Sequence, residues 1–157
     1  MITDGDEAAG GTTPRRRFAV RRSPIHGRGV FALRDIAAGE RLIEYRGAVI
    51  TWRAAQRQYE KTGVEGHTYF FDRGDGTVID GGRHGNSARF INHSCSPNCE
   101  ALNDDGRIVI YSSRRIRAGQ ELVFDYQLHL DSPTAEDAAA YACACGSRRC
   151  RKTMLAP

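Results

Sequence analysis

The sequence predicts a mainly β protein built from small sheets, with few and short helices. Strand-like runs of three to five residues recur along the chain and are separated by turn residues. Seventeen glycines and five prolines among 157 residues favour strands and turns over a helical bundle. This length also fits one domain with a hydrophobic core of its own.

The first half of the chain predicts four strands and one helix, after a mobile tail at residues 1–17. The strands are expected at Phe18–Arg22 and at residues 30–33, 41–45 and 48–50. Thr51 is a suitable N-cap for a helix at residues 52–61, which Gly63 and Gly66 would end. Trp52, Ala55 and Tyr59 share one face of that helix, so we expect this stripe to pack on the core.

The second half predicts two hairpins, a further strand and a second helix. One hairpin joins residues 67–71 to Thr77–Asp80, and the other joins residues 100–102 to 107–111. The strand is expected at Glu121–Phe124. Ser132-Pro133 should open an Ala-rich helix near residues 134–142, because proline suits a first helical turn.

Charge and hydropathy limit the classes of partner. The net charge is +4 and the pI about 8.9, which is mildly basic. Arginines are dispersed and no stacking-aromatic motif stands among them, so nucleic acid is expected to be at most an indirect partner. No apolar run is long enough to cross a bilayer, and residues 1–11 are unlike a secretory signal. We therefore expect a soluble protein that is not secreted by the general route and has no membrane partner.

The cysteines indicate a metal site. Five cysteines are an odd number, which does not fit a complete disulfide framework. Cys143, Cys145 and Cys150 supply three closely spaced thiols, and Cys95 can supply the fourth ligand of a tetrahedral zinc site. Free structural thiols are the alternative. Cys99 is left over and is expected to be a small buried residue.

Four separated segments are rich in polar groups and glycine: residues 23–29, 44–47, 85–98 and 124–126. The run at 89–99 has no hydrophobic period, so it is expected to be a specialised loop. Asn92 and His93 offer partners for a heteroaromatic ligand and its carboxylate. Each of Tyr45, Tyr69 and Tyr126 alone could be a half-buried core residue, but together they would form a narrow channel for an aliphatic amine.

Five motifs in order resemble those of SET-domain protein lysine methyltransferases. They are residues 25–31 (Ile-His-Gly-Arg-Gly-Val-Phe), 44–47 (Glu-Tyr-Arg-Gly), 89–98 (Arg-Phe-Ile-Asn-His-Ser-Cys-Ser-Pro-Asn), 121–126 (Glu-Leu-Val-Phe-Asp-Tyr) and the cysteines of 143–150. The resemblance runs from about Phe18 to Met154 and is nearest to the trithorax-like branch. It implies a SET fold of small twisted β-sheets with a pseudoknot that brings residues 92–94 beside 124–126. The implied boundaries are 18–130 for the SET domain and 131–157 for a post-SET zinc segment.

The resemblance also implies the roles of individual residues. Its reaction transfers a methyl group from S-adenosylmethionine to a lysine amine, with Tyr126 expected as the principal catalytic residue. Tyr45, Tyr69 and Phe124 would complete the catalytic set. The donor would be bound by His26, Gly27, Arg28, Gly29, Tyr69, Arg89, Asn92, His93, Ala144 and Met154. Structural zinc would be held by Cys95, Cys143, Cys145 and Cys150.

The resemblance leaves the substrate open within one chemical class. It implies a lysine presented in an extended peptide, from a histone tail or another basic protein, and Phe124 predicts di- or trimethylated product. A non-catalytic module that binds peptide or nucleic acid is the alternative. The composition is compatible with a bacterial source. The chain would act in the cytoplasm if it is bacterial, and in a nucleus if it is eukaryotic or delivered to a host. The target lysine, the oligomeric state and the need for a partner protein stay open.

Overall fold

The computed structural model describes residues 15–63 and 69–157. Residues 1–14 of the predicted tail lie outside the described residues, as do Gly66 of the predicted helix stop and residues 67–68 of the predicted strand. Arg17, the last residue of the predicted tail, contacts the folded part of the chain. Its guanidinium donates hydrogen bonds to the carbonyls of Arg41 at 3.2 Å and Leu42 at 2.9 Å.

Ten strands form three small sheets within the described ranges, which confirms the mainly β prediction. The strands are β1 (Phe18–Arg22), β2 (Arg28–Ala32), β3 (Arg41–Glu44), β4 (Ala48–Thr51), β5 (Phe70–Asp72), β6 (Thr77–Asp80), β7 (Asn92–His93), β8 (Cys99–Asp104), β9 (Arg107–Ser112) and β10 (Glu121–Phe124). The sheet orders are β1-β2-β10-β7, β3-β9-β8 and β4-β6-β5.

The sheet that contains β10 brings the polar segment beside the last strand motif. β10 pairs antiparallel with β2 and parallel with β7, so that Val123 lies opposite Asn92 and Phe124 opposite His93. The Asn98 side chain reinforces this crossing, because it accepts from the Val123 N–H and donates to the Glu121 carbonyl. The neighbourhood implied by the resemblance is therefore present. The expectation of a loop throughout 89–99 was wrong in part, because Arg89 and Phe90 end the 3-10 helix Ser87–Phe90 and Asn92–His93 joins the sheet.

Both predicted hairpins are present, and local turn chemistry explains the tighter one. β8 and β9 pair antiparallel around Asp105 and Gly106, whose φ angles are +52° and +82°. A two-residue turn with positive φ at both positions matches the twist of the flanking strands, and Asp-Gly tolerates it well. β5 and β6 form the other hairpin.

The first helix, α1 (Trp52–Thr62), follows its sequence signals closely. The Thr51 side chain accepts from the Ala54 N–H, and Gly63 is the C-cap. Ala55 is fully buried, but the Trp52 residue is 38% exposed, so the prediction that the whole stripe packs on the core was wrong for Trp52. Ala55 is the buried residue of this helix, and Gln58 also reaches the sheet, because its Nε2 donates to Asp80 Oδ2 at 3.4 Å.

The second helix, α2 (Ala135–Ala140), begins later than predicted. Its N-cap is Thr134, whose side chain accepts from the Asp137 N–H while the Asp137 carboxylate accepts from the Thr134 N–H. The capping box needs a backbone N–H group at the N-cap, and proline has none. Thr134 therefore takes the N-cap position, and Pro133 lies before the helix. Within the described residues, no helix is long and apolar enough to cross a membrane.

One buried cluster joins the sheets and fixes the site above it. Val30, Ile36, Ile110, Ile116 and Leu122 are each at most 1% exposed and contribute to this core. Cys99 is also 1% exposed, which confirms the prediction that it is a small buried residue. Because β2 and β10 belong to both the core and the site, burying their apolar faces positions the polar ends of those strands.

Candidate active site and metal centre

A narrow aromatic cavity lies beside the end of β10. Its volume is about 30 Å³, and its walls are Tyr45, Phe70, Phe71, Arg89, Ile91, Phe124 and Tyr126. A water molecule needs roughly 10–15 Å³ on this measure, so the cavity has the size of a side-chain tip. Two of the three tyrosines predicted for a channel, Tyr45 and Tyr126, are brought together here.

The hydroxyls of these tyrosines are held by backbone carbonyls. Tyr126 Oη donates to the Ile91 carbonyl at 2.6 Å, and Tyr45 Oη donates to the Tyr69 carbonyl at 2.9 Å. Burial raises the pKa of Tyr126 well above its ordinary value of 10.0. Burial, and then the nearby Asp80 carboxylate, raise the pKa of Tyr45 in the same way. Both phenols are therefore neutral donors at any ordinary assay pH.

Tyr69 contributes to the site differently from the prediction that it lines a channel. Its ring packs edge-on against Phe90, with centroids 6.3 Å apart, and the Arg89 guanidinium lies 5.9 Å from its centroid. Arg89 donates through Nη1 to the Gly81 carbonyl at 3.4 Å, while its buried Nε has no hydrogen-bond partner among the described residues. A buried donor without a partner is costly, so this nitrogen is available to an anionic or polar ligand.

Aromatic packing fixes the cavity walls. The rings of Phe124 and Tyr126 have centroids 4.9 Å apart, and Phe71 lies 6.0 Å from Phe124 and 5.2 Å from Tyr45. Offset and tilted contacts of this kind contribute beyond simple burial. Through these ring contacts, β5, β10 and the segment after β3 together form one wall of the cavity.

The predicted donor-binding loop is tied to β7 and β10 by one amide and one carboxylate. Asn92 Nδ2 donates to the His26 carbonyl at 3.1 Å, the Arg28 carbonyl at 2.9 Å and Glu121 Oε1 at 2.8 Å. Glu121 also accepts from Ser23 Oγ at 2.9 Å. This network holds the backbone of the loop in place while its outer surface, including His26, Gly27 and Arg28, stays exposed.

Glu121 approaches the same loop so closely that a side chain at position 29 would displace its carboxylate. A Cβ at Gly29 would stand 2.1 Å from Glu121 Oε1 and 3.1 Å from the Ser23 Cβ. The absence of a side chain at Gly29 therefore allows the carboxylate to reach both Ser23 and Asn92. Glu121 and Ser23 were not among the predicted site residues, although Glu121 opens the 121–126 motif.

The two predicted arginines of the donor site converge on one ring. The guanidinium carbons of Arg28 and Arg89 lie 5.2 Å and 4.7 Å from the centroid of Phe90. Cation–π contacts hold the two charges beside the 3-10 helix and close to Asn92. The site thus gathers His26, Arg28, Arg89 and Asn92 at one end of the sheet.

The ring of His93 is committed to contacts inside the protein. His93 is 3% exposed, its Nδ1 accepts from the Tyr126 N–H at 3.1 Å, and its Nε2 lies 3.4 Å from Cys95 Sγ. Burial lowers the pKa of this imidazole; the nearby Asp125 carboxylate opposes that shift and Arg151 adds to it.

Four cysteines form a cluster that fits a zinc ion. The sulfur atoms of Cys95, Cys143, Cys145 and Cys150 lie within 4.8 Å of one another, and Cys95 Sγ is 3.7 Å from Cys143 Sγ. Four thiolates at ~2.3 Å from a tetrahedral zinc ion stand roughly 3.8 Å apart, so the observed separation matches this geometry.

Backbone donors around the cluster also suit thiolates. The N–H of Cys145 points at Cys143 Sγ at 3.4 Å, that of Lys152 at Cys150 Sγ at 3.3 Å, and that of Arg151 at Cys95 Sγ at 3.4 Å. N–H donors stabilise sulfur when it carries negative charge. The four cysteines could therefore hold zinc in a closed site, which is the structural kind.

An ion pair that the sequence reasoning missed fastens the cysteine segment to β10. Arg151 donates to both carboxylate oxygens of Asp125, at 2.8 and 2.9 Å. Burial by itself would raise the pKa of Asp125, but the Arg151 hydrogen bonds and the Gln127 N–H outweigh it and lower that pKa. Bidentate geometry fixes orientation as well as distance. Asp125 precedes Tyr126, so the pair anchors the C-terminal segment next to the cavity.

The remaining predicted donor residues lie on that C-terminal segment. Ala144 is exposed between two of the cysteines, and Met154 is partly buried. The Met154 N–H donates to the Tyr141 carbonyl at 2.8 Å, and the Met154 carbonyl accepts from the Leu128 N–H at 3.4 Å. These bonds carry the segment back over the end of the sheet, on the side of His93 and Tyr126.

Comparison with known proteins agrees with this arrangement. Residues 27–127 match the model of the SET domain family. The chain is 40% identical over 149 residues to "Histone-lysine N-methyltransferase, H3 lysine-4 specific" of Mycosarcoma maydis and 42% identical over 149 residues to "Histone-lysine N-methyltransferase 2B" of Homo sapiens. It is 41% identical over 140 residues to "Histone-lysine N-methyltransferase trithorax" of Drosophila virilis.

The alignments cover most of this chain and little of each relative. They span 90%, 90% and 85% of this chain but only 10%, 5% and 3% of those three proteins. SET methyltransferases use S-adenosylmethionine. The family match covers the strands that build the cavity, and the four-cysteine cluster lies beside them. The chain therefore belongs to the SET-domain family.

Proposed function

We propose that this chain is an S-adenosylmethionine-dependent protein-lysine N-methyltransferase. The observation that carries the proposal is the narrow cavity of about 30 Å³ in which two neutral tyrosines and Phe124 surround a space of amine size. Aromatic walls suit an aliphatic lysine stem, and hydroxyls at fixed positions suit an amine at its tip.

The reaction is an in-line displacement at the donor methyl group. A bond forms between the lysine nitrogen and the methyl carbon, the bond from that carbon to sulfur breaks, and neutral S-adenosylhomocysteine leaves. The amine needs a free lone pair, yet lysine has a reference pKa of about 10.4. Desolvation in the cavity and the adjacent sulfonium charge both lower that pKa, and the proton passes to water.

Tyr126 is the residue on which this mechanism depends most. Its Oη is fixed by the Ile91 carbonyl, so the lone pairs of that oxygen are available to the incoming methyl group or amine. Stabilisation that is present only in the reacting geometry raises kcat rather than substrate affinity. In this proposal Tyr45, Tyr69 and Phe124 complete the catalytic set. Tyr45 and Phe124 shape the cavity around the amine, and the Tyr69 carbonyl holds the Tyr45 hydroxyl.

The donor is proposed to lie across the loop at residues 26–29 and the 3-10 helix. Its carboxylate needs cations or N–H donors, and Arg89 Nε is a buried donor without a partner among the described residues. The proposed donor set is His26, Gly27, Arg28, Gly29, Tyr69, Arg89, Asn92, His93, Ala144 and Met154. The proposed division of the chain is a SET domain at 18–130 and a post-SET zinc segment at 131–157, with residues 1–17 as a tail.

The proposed substrate is a lysine in an extended segment of a histone tail or another basic protein. All three reported relatives carry names that specify histone lysine, and one of these names specifies H3 lysine 4. A histone substrate would place the activity in a nucleus, whereas a bacterial protein substrate would place it in a bacterial cytoplasm.

The test is transfer of labelled methyl from S-adenosylmethionine to purified core histones and, separately, to a bacterial lysate. Tyr126→Phe should lower kcat by roughly 10²- to 10³-fold, the range seen when one group that stabilises the transition state is removed. Tyr111→Phe is the matched control, because its hydroxyl makes an exposed 3.4 Å contact with Asp104 and does not line the cavity.

Each outcome has a distinct meaning. Labelling of a histone that is lost in Tyr126→Phe and kept in Tyr111→Phe supports the proposal and the nuclear substrate. Labelling confined to the lysate supports the activity with a bacterial substrate. Tight donor binding with no labelled product in either pool would refute the enzyme and favour a non-catalytic binding module.

A further inference from the structure

We propose that the side chain of His93 is a positioning group that couples the zinc site to Tyr126. The inference rests on the proposed function for the role of Tyr126 and on the cysteine cluster for the metal. It assigns the imidazole ring a task separate from donor binding, because both ring nitrogens are already engaged within the protein.

The hydrogen bonds determine which nitrogen carries the proton. The Tyr126 N–H points at His93 Nδ1 at 3.1 Å, and a donor of this kind requires an unprotonated acceptor. The proton of the neutral ring therefore lies on Nε2, which faces Cys95 Sγ at 3.4 Å. Asp125 Oδ1 stands 3.6 Å from Nδ1, which is too long for a hydrogen bond and leaves Tyr126 as its partner.

Protein groups beside a metal ligand commonly fix its orientation and charge. When the four thiolates hold zinc, Cys95 Sγ is negatively charged and accepts strongly from Nε2–H. That acceptor fixes the tautomer in which Nδ1 can receive the Tyr126 N–H.

A second connection leads from the same sulfur to the same backbone. The Arg151 N–H also points at Cys95 Sγ at 3.4 Å, and the Arg151 guanidinium pairs with Asp125 at 2.8 and 2.9 Å. Asp125 is bonded directly to Tyr126 in the chain. Together the two connections form a closed ring, so a shift of Cys95 is transmitted to the backbone on which the Tyr126 phenol stands.

The physical consequence is a defined position for Tyr126 Oη. Its ring touches both His93, at 5.3 Å between centroids, and Phe124, at 4.9 Å, while its hydroxyl reaches Ile91. Misplacement of a reacting group by about 1 Å can cost ~100-fold in rate. His93 thus lets the state of the metal site act on kcat without touching the substrate.

Two substitutions separate the two ring nitrogens. In His93→Asn the side-chain oxygen can replace Nδ1 as acceptor for Tyr126 but does not reach Cys95. In His93→Gln the terminal amide can reach towards Cys95 and donate as Nε2 does, while the Nδ1 position holds a methylene. The parent and both variants are loaded with zinc and compared for the nitrogen-15 NMR shift of the Tyr126 amide, for the rate of zinc release to a coloured chelator and for kcat.

The two variants should lose different properties. His93→Asn should release zinc about 10-fold faster, as for other groups that hydrogen-bond a metal ligand, and should keep the hydrogen bond from the Tyr126 amide. His93→Gln should keep zinc release within about 3-fold, lose the Tyr126 hydrogen bond and lose about 10-fold in kcat. Equal loss of zinc retention and of the Tyr126 hydrogen bond in both variants would mean that His93 only stabilises the fold and would overturn the proposal.

A measurement on the unmodified protein keeps the test decisive if a variant does not fold. Nitrogen-15 NMR of the zinc-loaded parent should show a neutral His93 with Nε2–H and a Tyr126 amide bonded to Nδ1, and a proton on Nδ1 would overturn the coupling. Failure of the proposed function gives a different result. A parent protein with this tautomer and the expected zinc-release rates but without methyl transfer would refute the enzymatic function and still support His93 as the link between Cys95 and Tyr126.

Discussion

Replacing Gly29 with alanine is a sharp test of how the loop at residues 26–29 is positioned. The added Cβ would stand 2.1 Å from Glu121 Oε1 and 2.7 Å from the carboxyl carbon, well inside van der Waals contact. The Glu121 carboxylate is at the end of a flexible side chain, so we expect it to move away. Its movement would break the hydrogen bond from Asn92, at 2.8 Å, and at least one from Ser23, at 2.9 Å.

The expected magnitude follows from those lost bonds. Hydrogen bonds to a charged group contribute about 1.5–3 kcal/mol each, and new hydrogen bonds from water to the partly buried carboxylate recover part of that free energy. We therefore expect Gly29→Ala to lower the free energy of unfolding by about 2–4 kcal/mol. Because Asn92 also holds the His26 and Arg28 carbonyls, donor affinity should fall about 10-fold, which corresponds to ~1.4 kcal/mol.

The assay is urea unfolding together with calorimetric titration of S-adenosylmethionine. Glu121→Ala provides the matched background, because it removes the carboxylate that the new methyl group would strike. In that background Gly29→Ala should cost less than about 1 kcal/mol, so the double mutant is non-additive. If Gly29→Ala destabilises the protein equally with and without Glu121, the clash has another origin and the reasoning is refuted.

Three further predictions concern the cavity and the metal. Phe124→Tyr should shift the product from di- and trimethyl-lysine towards monomethyl-lysine, because a hydroxyl at this 5% exposed position takes space from a methylated amine; mass spectra showing only monomethyl product from the parent would contradict this. Removing zinc with a chelator should free the segment at 143–154 and weaken both donor and peptide binding, as read by titration and by protease cleavage of that segment; unchanged binding would exclude the coupling. The rate should rise from neutral pH to about pH 10 as lysine loses its proton. Burial raises the pKa of Tyr126 above its ordinary value, so its phenol stays protonated across this range and does not lower the rate. A decline in rate at high pH that Tyr126→Phe abolishes would contradict this assignment.

Much of the secondary structure could be predicted because its causes are local. The Asp-Gly turn at 105–106 and the Thr51 cap are each set by a few neighbouring residues, and both are present. The errors arose where a distant contact or a competing cap decided the outcome. Trp52 is exposed because the helix buries the side that carries Ala55, and Pro133 is outside α2 because Thr134 and Asp137 make a better N-terminus.

The candidate site could be predicted in part for a similar reason. Sequence motifs indicated Tyr45, Tyr126 and the four cysteines, and the structure brings each set together. The same motifs gave no sign that the Asp125 carboxylate pairs with Arg151, since the partners are 26 positions apart and each charge alone is typical of a solvated surface. The role of Glu121 was hidden likewise, because its partner Ser23 is 98 positions away.

The amino-acid sequence by itself determined the residue types of the site, the turns and caps of the elements, and a family assignment that the comparison confirmed. Only the tertiary structure decided which atoms face each other. β10 lies between β2 and β7, and this crossing places His93 between Cys95 and Tyr126 and places Gly29 against Glu121. The physical reason is that hydrogen bonding and packing depend on distances between atoms, and long-range strand pairing sets those distances.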